Sequence, residues 1–467
     1  MSKQTEFSKF FRGLSGFSIG PIVSALIAFA VVPITTFLIS PEELGRGSFF
    51  ITINQLIQLI TVLGFDQAFV REYHQSTDKK SLFTNSFIPP LLFSGLIGII
   101  VVIWWKPVSN LVVEEQSFLV AGLLCVSAVL SVVLRFSSLL IRMREKALLY
   151  SVFNISNKVT NVLVLLLFAY LIQADYLAVV VAFVTSLVLT SLLQRLYLNK
   201  TWELDLKSLN IREQVSYLKY GTPLAIAGAF MWILNSMDKV ALRSWSTFYE
   251  LGLYSNAFRI AGLFTIIQTA FSTFYAPTSY RWYSEEPGTK RFSIISSLMA
   301  YVLTIIFIVV AVSKDLVKII IDESYYASLT MIPFLLFFPV MYTLSETTGL
   351  AISFKRKTWL TLVVTIVAAM VNLVGNILLV PTYGGFGASV STGISFIVFF
   401  WLRTLIAHSQ LTLVTLKPHV FTTLSMLLIA ILVSINVQGL ILYGCAGLLI
   451  LIFTRLAIKK IYEFKRI

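Results

Sequence analysis

The chain is poor in charge, cysteine and histidine, and each shortage narrows what it can do. Charged residues make up only 12% of its 467 positions, about half the ~25% of a soluble globular protein. A water-facing surface of ordinary size cannot be covered by so few. The two cysteines, Cys125 and Cys445, both fall inside apolar runs. A thiol there packs as a small apolar group, so no disulfide framework is indicated. The three histidines, His74, His408 and His419, are far apart and near the ends of apolar runs, which suggests no metal cluster. No glycine-rich loop ending in Lys-Ser/Thr follows a strand, so ATP is not an obvious power source. No cofactor site of any other kind is evident.

What is abundant is apolar sequence. Hydrophobic residues reach 57% and the mean hydropathy is +0.86, where a soluble domain holds ~45–50% apolar residues. The pattern is a series of apolar runs, each near the ~20 residues needed to cross a bilayer as a helix. Fourteen spans are expected, at 17–39, 47–68, 84–105, 117–141, 147–171, 176–196, 219–243, 252–276, 293–312, 328–352, 358–380, 386–407, 418–436 and 438–458. Met1 to Gly16 is polar and basic, and the run after it reads as a first span rather than a cleaved leader. The fold class is therefore an all-α integral membrane protein.

The net charge of +14 does not indicate a nucleic-acid partner, because the basic residues are scattered between apolar runs. Alternate loops, with the residues flanking them, carry 28 of the 36 Lys and Arg against 6 on the other side. That asymmetry is the positive-inside pattern and puts both termini in the cytoplasm. The polar stretch 197–218 divides the chain into a first lobe, 1–196, and a second, 219–407. Residues 408–467 add two further helices and a basic tail. Two short likenesses link the lobes. Gly20-Pro21 and Pro41-Glu42-Glu43-Leu44-Gly45 lie in the first; Gly221-Thr222-Pro223 and Glu250-Leu251-Gly252 lie in the second. Six spans separate equivalent points, so the repeats would run parallel, as in carriers that open a central site alternately to either face.

Polar residues within spans mark candidate sites, because they are costly in hydrocarbon unless they face a cavity or a partner. Asn154, Asn157, Lys158 and Asn161 fall on one ~100° arc of the fifth span, with Lys158 near its middle. They read as cavity-lining, with a structural ion pair of Lys158 as the alternative. Arg135 follows Ser127 and Ser131 on the fourth span, with Ser138 beyond, and either lines the cavity or snorkels. Asn256 and Arg259 lie one turn apart on the eighth. Asp238 on the seventh could pair with Lys239, with Arg259 or with a cation, and Glu346 on the tenth is a candidate proton or sodium site. Asn54 and Gln58, and likewise Asn372 and Asn376, suit interhelical hydrogen bonding. The deep charge leans basic, which favours an anionic, phosphate-bearing substrate over an organic cation.

Three stretches carry a family resemblance. The first is Pro33 with Leu38-Ile39-Ser40-Pro41-Glu42-Glu43-Leu44-Gly45 and Leu63-Gly64-Phe65-Asp66-Gln67-Ala68-Phe69-Val70-Arg71-Glu72-Tyr73. The second is Asp238-Lys239-Val240 with Glu250-Leu251-Gly252-Leu253-Tyr254-Ser255. The third is Asn372 and Asn376 with Leu378-Leu379-Val380-Pro381-Thr382-Tyr383-Gly384-Gly385-Phe386-Gly387-Ala388-Ser389. In these the chain resembles the bacterial polysaccharide (O-antigen and capsule repeat-unit) flippases of the multidrug/oligosaccharidyl-lipid/polysaccharide exporter superfamily.

The resemblance implies a V-shaped pair of six-helix lobes plus two C-terminal helices. It implies translocation of undecaprenyl-diphosphate-linked sugars across the cytoplasmic membrane, with a proton or sodium gradient as the coupling partner. A polysaccharide polymerase and chain-length machinery would be protein partners. A multidrug exporter of the same fold and a peptidoglycan-precursor flippase are the alternatives. A membrane enzyme acting on the same sugars should carry a large extracytoplasmic loop, and every such loop here is short.

Overall fold

A computed structural model describes residue 27 and residues 29–199, 204–285, 289–437 and 439–465. Gly20-Pro21 and the start of the first expected span lie outside the described residues. Among those described, every regular element is helical. A short apolar helix, α1 (Phe29–Leu38), precedes α2 (Pro41–Val62), α3 (Phe65–Glu72), α4 (Lys79–Ile103), α5 (Trp105–Val113), α6 (Phe118–Met143), α7 (Ala147–Leu171) and α8 (Tyr176–Leu198). There follow α9 (Ile211–Trp245), α10 (Phe248–Gly262), α11 (Thr265–Glu285), α12 (Thr289–Val312), α13 (Ile332–Leu335), α14 (Phe337–Thr348), α15 (Leu350–Phe354), α16 (Trp359–Gln410), α17 (Lys417–Ser434) and α18 (Leu440–Lys465).

Local chemistry accounts for many of the helix starts. Ser40 caps α2, its hydroxyl accepting from Glu43 N, with Pro41 at the first turn. Asp78, Ser117, Asp175 and Thr247 cap α4, α6, α8 and α10 in the same way. Each satisfies backbone N–H groups that the first helical turn cannot satisfy internally.

The helices expose large apolar side chains on their outer faces, and small and polar residues are buried inside alongside aromatic and aliphatic ones. On α4, Leu92, Leu96, Ile99 and Ile103 are exposed, whereas Ser86 and Ser94 are fully buried. Gly98 on its inner side abuts Cys125 of α6. Small residues let backbones approach closely where lipid is the solvent. The chain is a multi-pass membrane protein. Ten described helices are long and apolar enough to cross, or up to 12 if each of two bent pairs is one span; the fourteen expected spans are not resolved as separate continuous helices.

The main reason is α16. Its 52 residues would extend ~78 Å at 1.5 Å per residue, against a hydrocarbon core of ~30 Å. It is broken at Gly384, whose φ of 52° and ψ of −132° are not helical. The Ser391 hydroxyl donates to Asn372 O at 2.8 Å, and a Cβ on Gly387 would meet Leu379 O. The halves therefore run antiparallel about a hairpin, as the expected spans 358–380 and 386–407 require.

The chain packs as two compact units. One is Leu38–Arg243; the other is Ser244–Ile467 with the described residues before Leu38. A parallel between them is visible in hydrogen bonds. Glu43 Oε2 accepts from Tyr176 N at 2.9 Å, at the start of α8. Glu250 Oε2 accepts from Gly385 N at 2.8 Å, at the start of the second half of α16. Both glutamates stand three residues after a capping hydroxyl, Ser40 or Thr247. Instead of closing a capping box on their own helix, they cap a neighbouring one.

Candidate functional site: a cavity beside a broken helix

In the unit Leu38–Arg243, the run from α2 to α3 bends by 55°. Leu63 and Gly64 take positive φ values of 44° and 81° there. Gly64 lies against the backbone of Gly221 on α9, so closely that a Cβ on either would overlap the other's carbonyl. Two residues beyond Gly221, Pro223 sits inside α9. Beside this crossing is a cavity of about 490 Å³ whose lining includes Gln55, Gln58, Asp66, Gln67, Arg135 and Trp232.

An aromatic core holds the charged pair of this cavity in place. Phe83 and Phe87 of α4 stack at 5.3 Å, and Phe136 of α6 meets Phe69 and Phe87 edge-on. Phe69 follows Asp66 by one turn, and Phe136 is next to Arg135. Asp66 is 6% exposed. Its Oδ2 accepts from Arg135 Nη2 at 2.5 Å and Nε at 3.1 Å, and from Gln67 Nε2 at 3.0 Å. Its Oδ1 accepts from Gln67 N at 2.9 Å. Four donors thus satisfy the carboxylate, which in turn fixes the guanidinium plane. The Arg135 side chain remains 41% exposed, with Nη1 left for a ligand.

Deeper along the α2–α6 contact, Asn54 donates to Ser131 Oγ and Gln58 to Ser131 O, both at 2.9 Å. Both residues thus serve helix packing; Gln58 also presents its remaining amide face to the cavity. Gln55 makes no side-chain hydrogen bond among the described residues, and Trp232 Nε1 is buried without one.

The polar arc of α7 divides. Asn157 donates to Ser186 O and Thr190 Oγ1 of α8, each at 3.0 Å, and is engaged in helix pairing. Asn154 and Lys158 are exposed and Asn161 is half-buried. None of the four lines the cavity beside Gly64.

In the other unit, Arg259 of α10 is half-buried. Its Nη1 reaches Thr35 Oγ1 at 3.4 Å, while that hydroxyl donates to Val31 O and Val32 O. Among the described residues no carboxylate lies within ion-pair distance of Arg259. Asn256, one turn earlier, donates to Ser328 Oγ at 3.1 Å. Glu346 on α14 has a partner: Arg403 Nη1 lies 3.1 Å from its Oε1 and 2.7 Å from Ser345 Oγ. Asp238 is fully buried on α9.

The family model described as polysaccharide biosynthesis protein matches residues 10–281. The chain belongs to this family. The probable low-salt glycan biosynthesis flippase Agl15 of Haloferax volcanii is 22% identical over 193 residues. That alignment spans 40% of this chain and 40% of the relative. The fold is shared with a lipid II flippase, MurJ, in an inward closed conformation. The TM-score is 0.73 at 15% identity, covering 96% of this chain and 99% of that one. An inward-facing multidrug resistance MATE family transporter of the MOP superfamily aligns at a TM-score of 0.57 and 16% identity, over 84% and 94%. The expected likeness to the polysaccharide branch is borne out at the level of family, and the fold is one that a lipid II flippase and a MATE transporter share.

Sequence reasoning picked out Arg135 and Glu346, and missed Asp66 and Trp232 beside the first and Arg403 beside the second. Asp66 was legible in principle, because an acid just after Leu63-Gly64 in an apolar run is expensive without a partner. Trp232 and Arg403 carried no such signal, since an indole within a span and a cation near a span end are both ordinary.

Proposed function

We propose that the chain is a flippase that moves undecaprenyl-diphosphate-linked oligosaccharide repeat units across the bacterial cytoplasmic membrane. It does so by alternating access of two six-helix lobes, 1–196 and 219–407, and supplies surface polysaccharide synthesis. Both termini face the cytoplasm in this reading. The observation that carries it is Arg259, a half-buried guanidinium with no carboxylate partner among the described residues. Such a charge within a span costs ~2.5–3.5 kcal/mol on insertion scales, and an anionic cargo offsets that cost when it binds. A diphosphate matches the planar fork of arginine. Arg135, Lys158, Asn154 and Asn161 complete the proposed substrate set, with Asn157 holding their helix against α8. Asp238 and Glu346 are the proposed coupling acids, for a proton or sodium ion.

An exporter of organic cations would present uncompensated carboxylates and an aromatic cage, and the uncompensated group here is a cation. The test is deletion in the native host, with analysis of lipid-linked sugars and surface polysaccharide. Loss of surface polysaccharide with sugars accumulating on the inner leaflet is the expected result. Complementation by Arg259→Lys but not by Arg259→Gln, at equal membrane abundance, supports the role of the charge. Normal surface polysaccharide in the deletion strain would refute the reading.

A further inference from the structure

The cavity beside Gly64 differs in kind from the surroundings of Arg259. Its one cation, Arg135, is neutralised by Asp66, and that carboxylate already accepts four hydrogen bonds. A second anion would gain little there, because the guanidinium's charge is already balanced. Set among apolar side chains such as Leu59, Val62 and Leu224, the polar groups of the lining offer neutral hydrogen bonding instead. Gln55 has a free carboxamide, and Gln58 is held in orientation by Ser131 O. Gln67 is fixed on Asp66, and Arg135 presents Nη1. Trp232 adds an aromatic face and an Nε1 that is buried without a partner. Planar amides, a fixed guanidinium and an indole face match a ring carrying many hydroxyls on one side and C–H groups on the other. At about 490 Å³ the space is within the ~300–1,000 Å³ of small-molecule sites.

We infer that this cavity is a saccharide subsite, binding uncharged hydroxyl-bearing rings of the glycan, with Trp232 as platform and Asp66 as the positioning residue for Arg135. The assignment rests on the flippase reading and gives the cavity of Leu38–Arg243 the hydroxyl-bearing part of the cargo.

The test uses the full chain in lipid nanodiscs and two probes: lipid-linked oligosaccharide extracted from the host, and undecaprenyl diphosphate without sugar. The readout is the ratio of their affinities. The wild-type chain should bind the glycosylated lipid at least about tenfold more tightly, equivalent to one or two good hydrogen bonds. Trp232→Ala should bring the ratio close to one and leave the affinity for bare undecaprenyl diphosphate unchanged. Asp66→Asn should lower the ratio and Asp66→Glu should restore part of it, which a purely structural role would not do. Gln55→Ala, on an exposed side chain that folding does not need, should lower it two- to fivefold.

Arg259→Gln should act oppositely, weakening both probes alike. A ratio unmoved by Trp232→Ala and Gln55→Ala, or an equal loss for both probes, overturns the saccharide assignment. Bare lipid that binds without any gain from the glycan also overturns it while leaving the flippase reading standing. If neither probe binds the wild-type chain, the flippase reading falls and the subsite falls with it.

Discussion

Replacing Gly64 by alanine should be among the most damaging single-methyl additions in the unit Leu38–Arg243. Gly64 has a φ of 81°, and a side chain in that left-handed region costs ~1–2 kcal/mol. The new Cβ would also overlap the carbonyl of Gly221, and backbone cannot turn aside as a rotamer can. Overpacking of that kind typically costs ~1–3 kcal/mol, so Gly64→Ala should lose ~2–5 kcal/mol in all. Gly221→Ala meets the same overlap from the other side, but Gly221 is helical. Alanine there regains ~1 kcal/mol of helix propensity, leaving a net loss of ~0–2 kcal/mol. The double variant should cost less than the sum, because one separation of the two backbones relieves both contacts. Reversible unfolding in mixed micelles by SDS titration measures all three. Equal losses for the two single variants, or strict additivity in the double, would refute the close-crossing reasoning.

Asp66→Ala should destabilise by about 1–3 kcal/mol, since it strands a cation that is still partly solvated, and adding Arg135→Ala should recover part of that loss in the same titration. Asn157→Leu should weaken the α7–α8 pairing by ~0.6–1.7 kcal/mol, the range of interhelical hydrogen bonds in membranes, read as a lower melting temperature in detergent. For Lys158, the substrate role predicts partial surface polysaccharide with Lys158→Arg, little with Lys158→Ala and almost none with Lys158→Glu, at unchanged membrane abundance. Normal polysaccharide from well-folded Lys158→Ala removes it from the site. On topology, a cysteine replacing Lys207 should resist an impermeant thiol reagent in whole cells, and strong labelling there would invert the proposed orientation.

The membrane class was readable from composition alone, because the cost of exposing peptide groups to hydrocarbon leaves a chain this apolar little but helices. One of the breaks was readable as well. Tyr383-Gly384-Gly385 stands between two expected spans, where glycine lets the chain turn sharply; the break at Leu63-Gly64 fell inside the expected span 47–68 and only the structure showed it. Single polar residues were also visible, and Arg135, Arg259, Asp238 and Glu346 stood out because charge in a span is rare. Which of them were paired was not visible. Arg135 meets Asp66 across 69 positions of sequence, and Glu346 meets Arg403 across 57. Asn157 looked like its arc-mates Asn154 and Lys158, yet it is Asn157 that donates two hydrogen bonds to α8. Helical periodicity gives the angle of a residue on its own helix. It carries no information about which neighbour fills that angle, and in a bilayer, where lipid tails are as apolar as leucine, hydrophobicity does not supply it. Only the packing of α2, α3, α6 and α9 decided that Gln55, Gln58, Asp66, Arg135 and Trp232 share one cavity, and only the tertiary structure left Arg259 without a carboxylate partner among the described residues.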